Sequence, residues 1–152
     1  MMTELEQRQR VVDEAKSWLG TPYHSQARLK GIGVDCAQLP AAVYESAGMI
    51  PHIPLDPYSH QFHLHQTREA YLDMVLAHAQ ECAGPPQPGD FVLFKIGRSH
   101  SHGAIVVDWP HVIHAVSDGQ KAVVPTDAAR EPFCKELLIN RAPRFFTLWG
   151  KV

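Results

Sequence analysis

Cysteine is scarce in this chain. There are three among 152 residues, Cys36, Cys82 and Cys134. An odd, widely scattered set excludes a disulfide framework and the paired spacing of a structural zinc site. It fits a reducing compartment with one special thiol. Charge is nearly balanced, with a formal net of −2, and no basic run occurs. That leaves no electrostatic footprint for nucleic acid or for an anionic membrane. No uninterrupted apolar stretch approaches the roughly 20 residues needed to span a bilayer. The opening residues Met1 to Arg8 are polar and hold no apolar h-region, which predicts synthesis in the cytoplasm without a signal peptide. Repeats and low-complexity tails are missing as well, so one domain over residues 1–152 is expected.

What is present is a change of period near the middle of the chain. Residues Glu4 to Leu19 read as an amphipathic helix with Leu5, Val12, Ala15, Trp18 and Leu19 on one face, stopped by Gly20-Thr21-Pro22. Tyr23 to Val34 reads as a loop. A second helix is expected from Asp35 or Cys36 to Ala47, closed by Gly48. Its Pro40 is tolerable only in a first turn, where the missing N–H has no intrahelical acceptor. A proline-rich loop spans Pro51 to Gln61, and a third helical pattern runs from Thr67 to Gln80. After Pro88-Gly89-Asp90 the pattern becomes short apolar runs: Phe91–Phe94, Gly103–Val107, His111–Val116, Ala122–Val124 and a last pairing within Glu136–Arg141. Helices first and an antiparallel meander second predict an α+β fold, N-terminal helices packed on a C-terminal sheet.

Cys36 follows a glycine turn and stands at the expected start of a helix, where unpaired N–H groups and a partial positive charge favour a thiolate. A lone cysteine is otherwise most often a small buried hydrophobe, and that is the reading for Cys82 and Cys134. His102 comes just before an apolar strand, where a base would be held by backbone pairing. His100 competes with it, one side-chain alternation away. His114 lies inside a strand, on the same face as Val112, and a polar side chain there needs a partner. Accepting the Nδ1–H of the base would satisfy it and fix the base's tautomer. A core histidine bonded to a backbone carbonyl fits the same spacing. The pairs His63/His65 and His100/His102 could bind a metal on an extended segment. Neither has a cysteine or carboxylate at ligand spacing, so no metal and no cofactor are expected. His24, His52, His60, His78 and His111 read as incidental.

Five motifs together resemble one family. Gly20-Thr21-Pro22-Tyr23, Gly31 to Cys36, Pro88 to Phe94, His102 to Val106 and Val112 to Ala115 occur in the order found in the NlpC-type cell-wall peptidases. The resemblance covers Glu14 to Ala115. It implies a papain-like cysteine peptidase that cleaves peptidoglycan stem peptides, typically between D-γ-glutamate and a diamino acid. It makes Cys36 the nucleophile, His102 the base and His114 the orienting residue. Tyr23 matches a tyrosine whose hydroxyl lies near the nucleophile and the oxyanion. Asp35 matches an aspartate that in some members helps hold the amine end of the substrate. The loop Gln26 to Gly31 looks like that of the phage-tail and prophage branch, which implies tail proteins as partners and a virion as carrier to the wall.

The chain departs from the pattern at Gln38, where the family has a glycine. A larger side chain there could narrow the cleft, change specificity, weaken activity or add a hydrogen bond to substrate. Two rivals to the peptidase share the motifs. One is a thiol amidase or acyltransferase on the same scaffold, and the other is a tail-assembly or wall-binding module with weak turnover.

Overall fold

Thr3 sets the first helix. Its side chain accepts from the Glu6 amide at 3.2 Å while the Glu6 carboxylate accepts from the Thr3 amide, a reciprocal cap. In the computed structural model, which describes residues 1–54, 70–133 and 135–150, helix α1 runs Glu4–Ser17. Its buried face differs from the expected one. Leu5 and Leu19 are exposed, and Arg8, Val11, Val12, Ala15 and Trp18 are buried. The cause is Arg8, which donates to Asp90 at 2.9 Å and to the Pro88 carbonyl at 2.9 Å. A guanidinium can be buried when its charge and its donors are met, and this one pins α1 to the Pro88-Gly89-Asp90 turn.

The expected loop after α1 carries a small ladder, β1 (Arg28–Leu29) against β2 (Gly33–Val34). Helix α2 spans Gln38–Ser46. Pro40 therefore sits in its first turn, as its chemistry requires. Cys36 lies two residues before the helix rather than within it. Helix α3 is described over Ala70–Leu76. It stops short of Gln80, and Leu76 is exposed, while Tyr71 and Leu72 face the core. The expected helix residues 67–69, the loop residues 55–61, the pair His63/His65 and Cys134 lie outside the described residues.

The second half is antiparallel throughout. The strands are β3 (Gln80–Glu81), β4 (Phe91–Ile96), β5 (Ser99–Asp108), β6 (His111–Ala115), β7 (Val123–Asp127) and β10 (Arg144–Thr147). They form one six-stranded sheet in the order β3-β10-β4-β5-β6-β7. A separate hairpin pairs β8 (Pro132–Phe133) with β9 (Glu136–Leu137). The Glu136–Arg141 segment thus pairs only locally and turns into a 3-10 helix at Leu138. The sheet instead takes Arg144–Thr147, which sequence periodicity did not isolate. Strand β5 also begins earlier than expected, so His102 is inside the strand and not at its entrance.

Alternation along β4, β5 and β6 divides the apolar residues. Phe91, Leu93, Ile105, Ile113 and Ala115 pack with the helices. Val92, Phe94, Ala104, Val106 and Val112 pack with Leu138 and Phe133 on the other face. Gly103 is a point of close approach. A Cβ there would come within 2.5 Å of the Tyr71 hydroxyl oxygen and closer still to the Phe91 ring. Gly103→Ala is expected to lose about 1–3 kcal/mol through overpacking, read as a lower urea midpoint at unchanged slope.

Candidate active site

The segment before Cys36 is held from two sides. Tyr23 N–H donates to the Lys121 carbonyl at 2.7 Å, and Val34 N–H donates to the Pro22 carbonyl at 3.0 Å. These bonds lace the Thr-Pro-Tyr segment to the start of β7 and to β2. Asp35 is buried, and its carboxylate accepts from the amides of Gln26 (2.7 Å), Ala37 (3.1 Å) and Gln38 (2.9 Å). The residue that the resemblance links to the substrate amine thus holds the amides that lead into α2.

That arrangement changes the electrostatics expected at Cys36. The amides of Ala37 and Gln38 go to the Asp35 carboxylate, and its negative charge lies beside the sulfur. Cys36 keeps partial exposure as a residue. Its sulfur is nevertheless enclosed, and burial first, then Asp35, push the thiol up to about 12. The Tyr23 hydroxyl and the Cys36 amide pull the other way. Burial and the neighbouring Cys36 and Asp35 hold the Tyr23 phenol protonated, its pKa well above the usual range. The expectation that the helix start alone ionises the thiol is therefore not met. At neutral pH Cys36 is an S–H group that needs a base.

Strand β5 passes directly beside it. The Cys36 thiol donates to the Ser101 carbonyl at 3.9 Å. The Tyr71 hydroxyl donates to the Cys36 carbonyl at 2.9 Å, and that same hydroxyl lies against Gly103. Cys36 thus bonds the strand at the residue before His102, and the hydroxyl that bonds its carbonyl packs beside Gly103, the residue after it.

His102 is buried, with its ring 4.7 Å from that of Phe133 and 6.3 Å from that of Phe94. Its Nε2 lies 2.8 Å from His114 Nδ1. The nitrogen facing His114 is Nε2, where the sequence suggested Nδ1. His114 is 1% exposed, and its own Nε2 lies 2.8 Å from Thr126 Oγ1. The rival His100 turns away and bonds the Ala142 carbonyl through Nε2 at 3.0 Å. Gln38 is 4% exposed, and its amide oxygen accepts from Arg28 Nε at 2.9 Å. Arg28 also reaches Glu45 (3.0 Å) and the Ile53 carbonyl (2.7 Å). The large residue in place of glycine is thereby an anchor between the β1 loop, α2 and the segment after it. Among the described residues no group of three or more His, Cys, Asp or Glu is gathered as a metal would need. No helix among them is long and apolar enough to cross a membrane.

Two residues of this site escaped the sequence reading. Tyr71 looked like ordinary core. Thr126 lies beyond Pro125, where the strand was expected to have ended. The hairpin turn at Ser117–Gln120 pairs His114 with Val124 and Val112 with Thr126. Counting across that turn would have put a hydroxyl on the face of His114.

Burial alone pushes His114 down to about 4 from an ordinary value near 6.5. The unfolded chain therefore binds a proton that the folded chain refuses between those two values. Stability is whole above pH 6.5 and falls as pH drops toward 4, by about 3 kcal/mol in total from this group. His114→Gln should flatten the thermal midpoint against pH in that window. The lowered carboxylates Glu45 and Glu81 act only at more acid pH.

No protein-family model matches the chain, and no curated protein is significantly similar to it. Solved structures are similar. The NlpC/p60 domain of the peptidoglycan hydrolase SagA gives a TM-score of 0.59 over 91% of this chain and 96% of that one, at 19% identity. NlpC1 from Trichomonas vaginalis gives 0.60 at 20% identity over 87% of this chain and 43% of that one. A Staphylococcus aureus protein of the NLP/P60 family gives 0.60 at 23% identity over 95% of this chain and 42% of that one. The chain spans nearly all of the first and less than half the length of the other two. These likenesses establish the fold as the α+β, papain-like arrangement of NlpC/p60 domains.

Proposed function

We propose that this chain is a cysteine peptidase that hydrolyses peptidoglycan stem peptides, at the bond between D-γ-glutamate and a diamino acid. The observation that carries the reading is the contact of the Cys36 thiol with the Ser101 carbonyl on β5, next to a buried His102 already engaged by His114. The fold shared with NlpC/p60 domains, one of them from a peptidoglycan hydrolase, supports the substrate class.

The chemistry follows from the positions. With Nε2 engaged by His114, His102 uses Nδ1 for proton transfer. It takes the thiol proton as the sulfur attacks the γ-glutamyl carbonyl. Burial and Asp35 push the thiol up, so its proton has to be taken by a base for attack to occur. The oxyanion is met by the Cys36 amide and the Tyr23 hydroxyl. The imidazolium then protonates the leaving amine. Water, deprotonated by the same nitrogen, releases the acyl group and restores the thiol. Asp35 acts on substrate through the backbone it fixes, and Gln38 through the Arg28 anchor.

The Gln26–Gly31 sequence, which resembles that of the phage-tail and prophage branch, is the basis for proposing delivery to the wall by a virion with tail proteins as partners. The test of the activity is digestion of purified sacculi or of a synthetic stem tetrapeptide, followed by mass spectrometry. A new diaminopimelate-terminal fragment is expected from the wild type only. Release of sugar-linked products with intact stem peptides would replace the peptidase by an amidase.

A further inference from the structure

Thr126 is absorbed by none of the roles above, and it stands at the end of a continuous chain of polar contacts. His102 Nε2 meets His114 Nδ1 at 2.8 Å, and His114 Nε2 meets Thr126 Oγ1 at 2.8 Å. Two buried imidazoles in series can hold their protons in only two consistent ways. In one, Thr126 donates to His114 Nε2, His114 Nδ1–H donates to His102 Nε2, and His102 carries its proton on Nδ1. In the other, His102 Nε2–H donates to His114 Nδ1, and His114 Nε2–H donates to Thr126 Oγ1. Only the second leaves His102 Nδ1 bare to accept a proton.

We propose that Thr126 is a positioning residue that fixes this second state by accepting the His114 Nε2 proton, so that the base is held in its reactive tautomer. This rests on the reading of His102 as the base.

The surroundings favour that direction. His114 is 1% exposed, so its N–H has no solvent to turn to. A buried N–H left without an acceptor is costly. Thr126 is half-buried in β7, the edge strand of the sheet. It lines a surface groove with Glu131, Pro132 and Phe133. Its hydroxyl proton can point into that groove and bond water while the oxygen accepts from His114. Burial keeps His114 neutral, down to about 4, so a neutral acceptor at its far end is sufficient. The neighbouring Pro125 costs the sheet little, because an edge strand has a side with no ladder to donate to.

The test uses the intact chain with ¹⁵N-labelled histidine, alone and during turnover of a stem tetrapeptide. In the wild type, long-range ¹⁵N–¹H couplings should show His114 protonated on Nε2 and bare on Nδ1. Thr126→Val keeps the shape and removes the acceptor. It should shift His114 toward the Nδ1–H form and lower kcat by about 10–100-fold, the usual scale for a partner that orients a catalytic ligand or base, with KM nearly unchanged. Thr126→Ser restores the acceptor and should recover both the tautomer and kcat. A wild type with His114 protonated on Nδ1, or a Thr126→Val protein with wild-type couplings and kcat, overturns the proposal. A wild type with the expected tautomer but no hydrolysis keeps the Thr126 assignment and removes the peptidase reading instead. If Thr126→Val does not fold, failure of the Ser variant to match wild-type couplings would also overturn it.

Discussion

Cys36→Ala is expected to lower kcat for the stem peptide by about 10⁴-fold or more, because it removes the atom that forms the covalent intermediate. Binding should survive. The ties of this residue to its neighbours are largely backbone ties: the Tyr71 hydroxyl bonds its carbonyl, and Asp35 holds the amides that follow. Alanine keeps all of these. The variant should therefore fold with an unchanged thermal midpoint and still retain a labelled stem peptide in an equilibrium assay. Cys82, whose thiol donates to Asp90 at 3.6 Å, supplies a control. Cys82→Ala should leave kcat where it was.

The second large effect is at His102. With the thiol at about 12, the thiolate fraction at pH 7 in the absence of a base is about one part in 10⁵. His102→Gln keeps a donor for His114 and removes the acceptor for the thiol proton. Its kcat should fall by about 10²–10⁴-fold at neutral pH. The deficit should shrink by about tenfold for each pH unit as hydroxide takes over the role of the base. A merely structural histidine would give a deficit independent of pH.

Much of this architecture can be read from the chain itself. The change from helical to alternating period after Pro88 gives the α+β order, and Pro40 gives the start of α2 because proline fits a helix only in its first turn. The turn residues at Asp108–Pro110 and Ser117–Gln120 define β5, β6 and β7, and with them the register that joins His102 to His114. What escaped has physical reasons. The buried face of α1 is rotated by one ion pair, Arg8 with Asp90, across 82 residues, and hydropathy counts arginine as outward. Strand β10 is only four residues long and is recruited to β4 by tertiary pairing. Helix α3 ends at Leu76, short of the expected Gln80.

The site was legible as residue types and spacing, and less so as electrostatics. Cys36, His102, His114 and Tyr23 are singled out by motif. That Asp35 would hold the amides leading into α2 and raise the thiol, reversing the effect expected of a helix start, depends on where one carboxylate points. Residue type left Gln38 open between narrowing the cleft and bonding substrate, and its amide oxygen accepts from Arg28. Thr126 escaped because the strand expected over Ala122–Val124 runs on to Asp127.

The most direct measurement is the rate of Cys36 alkylation by iodoacetamide from pH 5 to 10, followed by peptide mass spectrometry in wild type and His102→Gln. Cys82, also pushed up to about 12 and chiefly by burial, serves as the internal reference in both proteins. Labelling of residue 36 at neutral pH should be far faster in the wild type than in the glutamine variant, because only the wild type has an acceptor for the thiol proton. The glutamine variant should climb with pH in parallel with residue 82. Superimposable profiles for the two proteins at residue 36 would mean that sulfur and imidazole do not act together, and the account would fail.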